Sequence, residues 1–586
     1  MQAARLHFCI TGMLATMALT LFACGHKKEE GNPSPAKQQA MPQGHRAHTT
    51  LSPTPPPTPG PQTPEHGSPP PLPAGPLVPA PAKKVPNTKG GVAKPPNNAK
   101  PPQDPPGDFT FFKNNDVSVP NASFSQTDEP SIGARDNPGG SQAVFYTGNW
   151  YAGVSTDQGG SFQYMNPFSE FPASAGGFCC DQRATYEPSR DLYFWLLQYN
   201  TTGGCDKSTP PNCNGNNIYR VAIANGNGGL AGGNWCYYDF TPEDLGMPAG
   251  MQFDYPHAAL SSNYFYFSAN AYLSRSVSGS DWRQTSIVRI PLDPLVSCGG
   301  YTYNYLNVTD LYDFNLAHGA TDTIYWAGLI NTSSVRIYHW AENSGTIFWN
   351  DKNVSSWARA SSSCNDPKGV DWCGRAGVGG SSGTGWSNAV LNNEGAASLG
   401  FMWNAAACTD TSKCAFNRPW PYVRAVRFKQ SSLDEIDEPD IWNSSYAFQF
   451  PGVGVDTRGH LGGAMFWGGG SNYPTLAAFI WDDFSCDPFN CGWENYGAVG
   501  SSASNSNWGD YLDAPPHSPD GKTWVATGYS FDGTNVRPRF LWFGRERDTP
   551  PPQSSGGGTV ALLTFLGLLA LWILLRMHLD KKMVLL

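Results

Sequence analysis

The sequence predicts an all-β protein whose main domain, residues 108–547, is a β-propeller of seven blades. Two observations predict this fold. Short aromatic and β-branched runs, bounded by Gly, Asn, Asp or Ser turns, recur throughout the region, and helical spacing of apolar residues is nearly absent. The runs also repeat at intervals of roughly 40 to 70 residues, as four-stranded blades around a channel would. A pair of β-sandwiches is the alternative.

The repeating units share one internal order. An opening segment with small or charged residues, such as Asp254-Tyr-Pro-His257, leads into an aromatic strand such as Tyr264-Phe-Tyr-Phe267. A further strand follows, for example Val423-Arg-Ala-Val-Arg-Phe428. No proline-rich break interrupts the region, which favours a single domain. Units can be started near Gln142, Arg183, Asp254, His318, Trp386, Gly452 and Trp508.

Residues 1–23 have the parts of a signal peptide. Arg5 supplies a positive charge, an apolar stretch follows, and the small residue Ala23 precedes Cys24. Leu21-Phe22-Ala23-Cys24 resembles the bacterial lipobox, in which the cysteine receives a lipid; an ordinary signal peptide is the alternative. With Gly25 after the cysteine, the resemblance implies a bacterial cell envelope protein at the outer membrane or cell surface.

Residues 24–107 are predicted to be a disordered, proline-rich linker. The segment has almost no large apolar residues to bury and too much proline to pair in sheets. As a polyproline II stalk it would reach on the order of 200 Å. A docking site for proline-binding partners is the alternative.

The C-terminus is predicted to attach the protein to a membrane. Residues 548–558 form a second linker, residues 559–575 an apolar transmembrane or sorting helix, and residues 576–586 a basic tail. The Gly556-Gly-Gly558 step before a short apolar helix resembles the GlyGly type of C-terminal sorting tail, which a membrane protease removes. A permanent anchor with its basic end in the cytoplasm is the alternative.

Twelve of the 14 cysteines fall in the main domain, which indicates disulfides in an oxidising compartment. Four close pairs are expected: Cys205 with Cys213, Cys364 with Cys373, Cys408 with Cys414, and Cys486 with Cys491. Cys179 and Cys180 are expected to form a vicinal bridge, which leaves Cys236 to pair with Cys298. Either member of the vicinal pair could instead bond to Cys236 or Cys298.

One motif sharpens the fold prediction. Ser155-Thr-Asp157-Gln-Gly159-Gly-Ser-Phe162 fits the Asp-box pattern, in which the carboxylate caps a tight turn, Gly takes positive φ and the aromatic residue fills space between blades. A shorter relative contains Ser518, Asp520, Gly521 and Trp524. The motif resembles the sialidase/BNR-repeat superfamily of propellers, where the box is structural and lies away from the active site.

The sequence departs from the sialidase pattern at the arginines, so we expect no sialidase activity. Sialidases bind the substrate carboxylate with three arginines and use a tyrosine nucleophile. Val288-Arg289-Ile290-Pro291 looks like their Phe-Arg-Ile-Pro motif but follows the first Asp box, so we interpret Arg289 as structural. Arg183 and Arg458 are candidates for the second and third carboxylate-binding arginines, but the sequence does not assign a complete set of three.

Residues that open the units would line the propeller channel. The candidates for ligand binding are Asp181, Arg183, Asp254, His257, His318, Arg458 and Asp510. Converging carboxylates could bind calcium or polar sugars, or could only satisfy buried backbone groups. No cofactor is evident, catalytic residues are unknown, and the net charge of -9 argues against nucleic acid.

These observations predict an exported, membrane-anchored propeller that binds an extracellular ligand, either a glycan or a protein. A glycoside hydrolase or lyase of sialidase-like fold is the second hypothesis, and a structural envelope protein is the third. Of the first two hypotheses, ligand binding without catalysis is favoured over enzymatic activity. If the protein is an enzyme, we expect it to be glycosidase-like.

Overall fold

The computed structural model describes most of the predicted main domain. It covers residues 107–123, 127–135, 142–275, 281–359, 363–373, 383–391, 394–485, 488, 493–503, 508–509, 511–517, 520–533 and 535–549, and four short strands before them. Strands make up 53% and helices 4% of the structure, which confirms the all-β prediction.

The chain forms antiparallel sheets one after another. The first contains β6 (Ser131–Ala134), β7 (Val144–Thr147), β8 (Ala152–Ser155) and β9 (Gln163–Met165). The second contains β10 (Phe178–Glu187), β11 (Leu192–Tyr199), β14 (Tyr219–Asn225) and β15 (Asn234–Phe240), with the small hairpin β12 (Gly204–Cys205) and β13 (Cys213–Asn214) inserted. The third contains β16 (Gln252–Leu260), β17 (Tyr264–Tyr272), β18 (Trp282–Pro291) and β19 (Tyr301–Val308).

The middle of the domain forms one large sheet from two such meanders. One meander contains β20 (Asn315–His318), β21 (Thr323–Asn331), β22 (Ser334–Ala341) and β23 (Thr346–Asn353). The other contains β24 (Gly383–Ala389), β25 (Ser398–Ala405), β26 (Tyr422–Lys429) and β27 (Glu435–Asp437). β20 pairs with β24 in parallel and so joins them into one nine-stranded sheet. Because of this merger the hydrogen-bonded sheets do not by themselves number seven, and the seven-blade count stays a prediction.

Two further sheets complete the domain. One contains β28 (Ala447–Val455), β29 (Leu461–Gly469), β30 (Asn472–Trp481) and β31 (Asn495–Gly500). The last contains β32 (Trp524–Asp532), β33 (Asn535–Arg545) and β5 (Phe109–Asp116). Residues 511–517 run beside β32, where the Thr527 amide donates to Asp513 O at 2.9 Å and the Val525 amide to Pro515 O at 3.1 Å.

The sheets follow one another in a closed circle. The first strand of each meander contacts the first strand of the next, through β6, β10, β16, β20, β24 and β28, and β32 of the last sheet contacts both β29 and β6. β5, from the beginning of the domain, supplies the outer strand of the last sheet and so links the two ends of the chain. This circular order is that of a propeller-like fold and not of two stacked sheet pairs.

Burial explains why the strands are continuous apolar runs. All eight residues of β11 are buried, because each sheet packs against a neighbour on both of its faces. Buried side chains form clusters between neighbouring sheets, such as Phe194 on β11 stacked on Phe265 of β17 at 4.4 Å. A strand that is covered on both faces has no need of polar alternation.

In the described part of the chain, helical structure occurs in short connections. α1 (Gly226–Ala231) follows β14, and 3₁₀ turns occupy Glu243–Leu245, Asp293–Ser297 and Glu546–Asp548.

Four short strands lie within the segment for which the sequence predicts no strand. β1 (Ser34–Pro35), β2 (Lys37–Met41), β3 (His45–His48) and β4 (Lys83–Val85) pair antiparallel with β23, β19, β15 and β31. Each partner is the outermost strand of its sheet. An outer strand presents unpaired N–H and C=O groups, so a passing extended segment can pair with it.

Five disulfides confirm the expected oxidised state. The structure contains Cys205–Cys213, Cys364–Cys373, Cys408–Cys414, the vicinal Cys179–Cys180 and Cys236–Cys298. Cys236–Cys298 joins the second sheet to the turn after β18 of the third. The expected pair of Cys486 and Cys491 lies outside the described residues.

The predicted membrane attachments also lie outside the described residues. These are Cys24 and residues 559–575. In the part of the chain that the structure describes, no helix is long and apolar enough to cross a membrane.

Candidate functional site

The candidate site lies at the centre of one face of the ring. We define the upper face as the end at which the first strand of each meander begins, and the lower face as the opposite end. Antiparallel strand order places the connections from a second to a third strand, and those between meanders, on the upper face. The described residues brought together there, here termed the polar centre, are Asp128, Glu129, Asn149, Asp181, Arg183, Tyr219, Asp254, Tyr255, His257, His318, Tyr511 and Asp513.

Arg183 is the cation around which this centre is organised. Its Nη2 donates to Asp513 Oδ1 at 2.9 Å, and its guanidinium lies 4.4 Å from the ring centroid of Tyr511. Arg183 is on β10 and the other two residues precede β32, so the contact spans the closure of the ring. All three side chains are buried. Arg183 is therefore fixed in direction by an ion pair and by an aromatic face.

A β-bulge in β16 presents two of the predicted residues. The register of β16 and β17 shifts between Asp254 and His257, and Tyr255 between them has φ of 56°. Positive φ is uncommon for an aromatic residue and costs on the order of 1–3 kcal/mol. The bulge places the rings of Tyr255 and His257 at 6.2 and 5.8 Å from the Tyr511 ring. Bulges of this kind redirect side chains beside functional sites.

Burial keeps the two histidines of the centre uncharged. The pKa of His257 is held well below its usual range by desolvation, then by the charges of Arg183 and His318. The pKa of His318 is also lowered by desolvation, and Arg183 adds to this while Asp513 opposes it. A neutral imidazole can donate from one nitrogen and accept at the other. Both histidines are thus equipped to bind hydroxyl groups.

Acidic side chains approach from the first two sheets. Asn149 Nδ2 donates to Glu129 Oε2 at 2.8 Å and to Asp181 Oδ1 at 3.3 Å. A single amide therefore holds two carboxylates side by side. Next to them, Tyr151 donates to Asp128 Oδ2 at 2.9 Å, and burial raises the pKa of Asp128 well above its usual value.

Several buried polar atoms of the centre have no hydrogen-bond partner among the residues that the structure describes. They are Asp128 Oδ1, Arg183 Nη1, His257 Nε2, Tyr219 Oη and Tyr511 Oη. Leaving a buried donor or acceptor unpaired costs roughly 1–3 kcal/mol each. Native proteins keep few such groups, and a concentration of them at one place calls for an explanation. Ligand hydroxyl or carboxyl groups would satisfy these atoms.

The structure brings five of the seven candidate residues together. Asp181, Arg183, Asp254, His257 and His318 all belong to the polar centre. Arg458 does not: it lies in the turn between β28 and β29 on the lower face, where it pairs with Asp456 and Asp548 at 2.8 Å each. The sequence places the start of this unit at Gly452, but β28 already begins at Ala447. Arg458 therefore follows the end of the strand, at the opposite end of the ring from the residues that open the units. Asp510 lies outside the described residues.

Arg289 is engaged by the backbone of a neighbouring meander. Its guanidinium donates to Ala341 O at 3.2 Å and to Ser344 O at 3.2 Å, and lies 4.0 Å from the Trp340 ring. These contacts join the third sheet to the next meander. Among the described arginines considered for a sialidase triad, Arg183 alone reaches the polar centre.

The Asp box lies on the lower face, in the turn between β8 and β9. Asp157 Oδ1 accepts from the Ser161 amide at 2.8 Å and from Ser155 Oγ at 2.7 Å. Gly159 has φ of 76°, and a Cβ there would lie 2.3 Å from the Phe540 ring. Phe162 packs edge-on against Phe540 of the last sheet at 6.1 Å.

The second box is not equivalent. Asp520 and Gly521 lie before β32, between a first and a second strand. Asp520 Oδ1 is 3.3 Å from Lys522 Nζ, Gly521 has φ of 62°, and Trp524 is fully buried. Ser518 lies outside the described residues.

Sequence reasoning missed residues that come from the first, second and last sheets. Glu129 and Asn149 were not singled out, nor were Tyr219, Tyr511 and Asp513. The signal available for Tyr511 and Asp513 was their position after Trp508, where a unit had been started. Among the described residues, no group of three or more His, Cys, Asp or Glu side chains is arranged to hold a metal ion.

Comparisons with known proteins give no family. No family model matches the chain, and no curated protein matches it. Solved structures resemble it at low identity. A puromycin-hydrolysing peptidase from Mycobacterium tuberculosis is 12% identical with a TM-score of 0.33, covering 72% of this chain and 54% of its own. This chain thus spans about half the length of that peptidase.

Two glycosidase structures resemble the chain with similar identities and TM-scores. Trypanosoma rangeli sialidase in complex with sialic acid is 11% identical with a TM-score of 0.34, covering 77% of this chain and 69% of its own. The α-L-arabinofuranosidase Arb93A from Fusarium graminearum is 10% identical with a TM-score of 0.36, covering 75% of this chain and 99% of its own. The fold described above rests on the strand pairing of this chain and not on these likenesses.

Proposed function

We propose that this protein binds a glycan at the polar centre. The observation that carries the proposal is the convergence of buried polar atoms without partners, on Arg183, Tyr219, His257 and Tyr511. Sugar hydroxyls both donate and accept, so they suit a site that mixes imidazole, phenol and guanidinium groups. Sugar rings also lie against aromatic faces, and Tyr255 and Tyr511 provide such faces beside these atoms.

The depth of the site favours a glycan over a protein as the ligand. Arg183 is 3% exposed and Tyr511 2% exposed, so the groups are recessed below the upper face. Protein interfaces are broad, and their strongest contacts come from large anchors that enter pockets. A sugar unit is small enough to reach recessed polar groups and carries several hydroxyls to pair with them.

A glycan array screened with the detergent-solubilised full chain tests the proposal. We expect binding to one class of glycan, lost in Arg183→Ala and retained in Asp293→Ala, a change on the lower face. Binding to no glycan, or equal binding by both variants, would refute the proposal.

A carbohydrate-active enzyme is the second candidate. Asn149 holds the carboxylates of Glu129 and Asp181 side by side, and paired carboxylates carry out glycoside hydrolysis. Neutral His257 beside Arg183 would equally serve proton abstraction in a lyase. Incubation with polysaccharides separates the outcomes: new reducing ends alone indicate hydrolysis, and new ultraviolet-absorbing double bonds indicate elimination. We expect no release of sialic acid from a sialoside, because the arginine triad is not assembled among the described residues.

We propose that the domain is a seven-bladed propeller. The parallel pairing of β20 with β24 supports this interpretation, because first strands of adjacent blades run in the same direction around a channel. Splitting the nine-stranded sheet at that pair and adding residues 511–517 to the last sheet gives seven units. Limited proteolysis should leave one core of about 440 residues, and two stable fragments would contradict it.

We also propose that the protein is held at a bacterial membrane, by lipid on Cys24 and by residues 559–575. The lipobox and the apolar C-terminal run support this, and the disulfides suit an exported domain. Isothermal titration of the full chain with CaCl₂ tests whether calcium is a ligand.

A further inference from the structure

The upper face carries two exposed aromatic side chains in addition to the polar centre. Among the described residues, three large apolar side chains are exposed: Phe168 at 37%, Val296 at 43% and Tyr312 at 41%. Phe168 lies between β9 and β10, and Tyr312 between β19 and β20, so both are on the upper face. Val296 lies between β18 and β19 on the lower face. Two of the three thus lie on the face that carries the polar centre.

Tyr312 belongs to a built platform. Its ring lies 5.5 Å from the ring of Trp282, and the Arg359 guanidinium lies 5.8 Å from it and donates to its hydroxyl. The loop beneath is fixed, because Asn270 Nδ2 donates to Asp313 Oδ1 at 2.6 Å. Trp282 is fixed as well, since its Nε1 donates to Thr285 Oγ1 at 3.2 Å. The exposed ring is therefore held in one orientation.

The Tyr312 platform adjoins the polar centre. Asp254 of the centre lies opposite Asn270 in the pairing of β16 with β17, and Asn270 Nδ2 donates to Asp313 Oδ1 at 2.6 Å, next to Tyr312 in the chain. Asp254 belongs to the centre and Asp313 supports the platform. A ligand that fills the centre and extends past Asp313 would reach the Tyr312 ring.

Phe168 lies beside the first residue of β10. Its ring packs edge-on against Phe178 at 5.1 Å, and Phe178 begins β10, the strand that carries Asp181 and Arg183. The vicinal disulfide Cys179–Cys180 occupies the bulge between Phe178 and these residues. Phe168 is therefore connected to the centre along a single strand.

We propose that the ligand is a glycan chain of several sugar units, which fills the polar centre with one unit and lays flanking units on Phe168 and Tyr312. The inference rests on the proposed function and adds the length of the ligand to it. Aromatic faces carry partial negative charge, and the C–H-rich faces of sugar rings pack on them. A single sugar would fill the centre and leave both platforms uncovered.

Binding of oligosaccharides of graded length tests this. The probes are size-fractionated oligomers of two, four and eight units from xylan, alginate and chitosan, a neutral, an acidic and a basic polymer. They are titrated against the full chain in detergent, with Phe168→Ala, Tyr312→Ala and the lower-face control Val296→Ala. All three substitutions remove an exposed side chain, so circular dichroism and thermal unfolding should show folded protein in each.

We expect the eight-unit oligomer of one polymer to bind at least tenfold more tightly than its two-unit oligomer. Phe168→Ala and Tyr312→Ala should each weaken the long oligomer about five- to tenfold and leave the short one unchanged, and Val296→Ala should change neither. Equal affinity for all lengths, or no effect of either aromatic substitution, would overturn the inference. The proposed function would still stand in that case if Arg183→Ala abolished binding. Binding to none of the polymers would overturn both.

Discussion

Arg183 and Asp513 form a buried ion pair at 2.9 Å although 330 residues separate them in the chain. The pair joins β10 of the second sheet to residues 511–517, which run beside β32 of the last sheet. These two sheets lie on either side of the first sheet, so the pair helps to hold the ring closed there. It also aims the other Arg183 nitrogen, Nη1, into the polar centre.

Removing one member of this pair should destabilise the domain strongly. Asp513→Ala leaves the Arg183 charge buried without its partner, which costs about 3–5 kcal/mol of unfolding free energy. Urea unfolding followed by tryptophan fluorescence measures the loss. Asp293→Ala is the matched control, because its partner Arg190 is bound at 2.7 Å while Asp293 is 84% exposed. That pair should contribute at most about 1 kcal/mol, and equal losses would contradict our assignment.

Hydroxyl groups that serve the ligand should be dispensable for folding. Tyr511 Oη has no hydrogen-bond partner among the described residues, so Tyr511→Phe should leave the unfolding free energy unchanged or slightly raised while weakening glycan binding. Tyr193 is the contrast, since its hydroxyl donates to Ala143 O at 3.0 Å. Tyr193→Phe should lower stability by about 1 kcal/mol and leave affinity intact. The opposite pattern would show that Tyr511 is structural.

Acid should weaken the domain through a histidine far from the site. Burial lowers the pKa of His517 to about 3, and neither of its ring nitrogens has a hydrogen-bond partner in the part of the chain that the structure describes. Because the folded pKa lies below the unfolded value of about 6.5, the unfolded chain binds the proton more tightly. Stability is then complete above pH 6.5 and falls as the pH drops toward 3, by about 2 kcal/mol between pH 7 and pH 5 for this group.

The substitution His517→Phe tests this directly. His517 packs edge-on against Trp542 at 4.6 Å, and phenylalanine preserves that contact. The variant should lose less stability than the wild type between pH 7 and pH 5 in urea titrations. Parallel losses in the two proteins would exclude His517 as a source of acid sensitivity.

The disulfides should differ in how much they stabilise the domain. Cys236–Cys298 closes a span of 62 residues and Cys408–Cys414 one of 6. In the chain-entropy description these loops are worth about 4 and about 2 kcal/mol. The double variants Cys236→Ala/Cys298→Ala and Cys408→Ala/Cys414→Ala should therefore differ by about 2 kcal/mol in urea unfolding. A larger loss for the short loop would contradict the expectation.

Lipid attachment can be read from labelling. The lipobox predicts that Cys24 carries an acyl chain, so palmitate should label the wild type and not Cys24→Ala. Equal labelling of the two proteins would reject the lipobox.

The mass of the mature protein distinguishes the two interpretations of the C-terminus. Loss of about 30 residues indicates a sorting tail, and an intact tail indicates a permanent anchor.

Part of the site was predictable because the sequence repeats. Asp181, Asp254 and His318 each lie in or near an opening segment, and equivalent positions of a circular repeat meet at one end of its axis. No assumption about distance was needed. The short aromatic runs likewise predicted strands, since sheets covered on both faces select continuous apolar side chains.

The remainder depended on facts that a local pattern does not carry. Arg458 was misplaced because the start of β28 was judged five residues late, and such a shift moves a side chain to the other end of the ring. Glu129 and Asn149 come from loops with no apolar pattern to mark them. Asp513 meets Arg183 only because the ring closes. The spacing of residues along the chain does not indicate which units become neighbours on closure.

The pairing of β5 with β33 has a consequence for how the molecule stands in its surroundings. Phe109 lies opposite Arg545, and the Glu546 amide donates to Asp108 O at 3.0 Å, so the domain begins and ends at one spot on its lower face. Residues 107 and 549, between which the domain lies, are therefore both on the face opposite Arg183. If the domain is held through either of these positions, the upper face with the polar centre points away from the point of attachment.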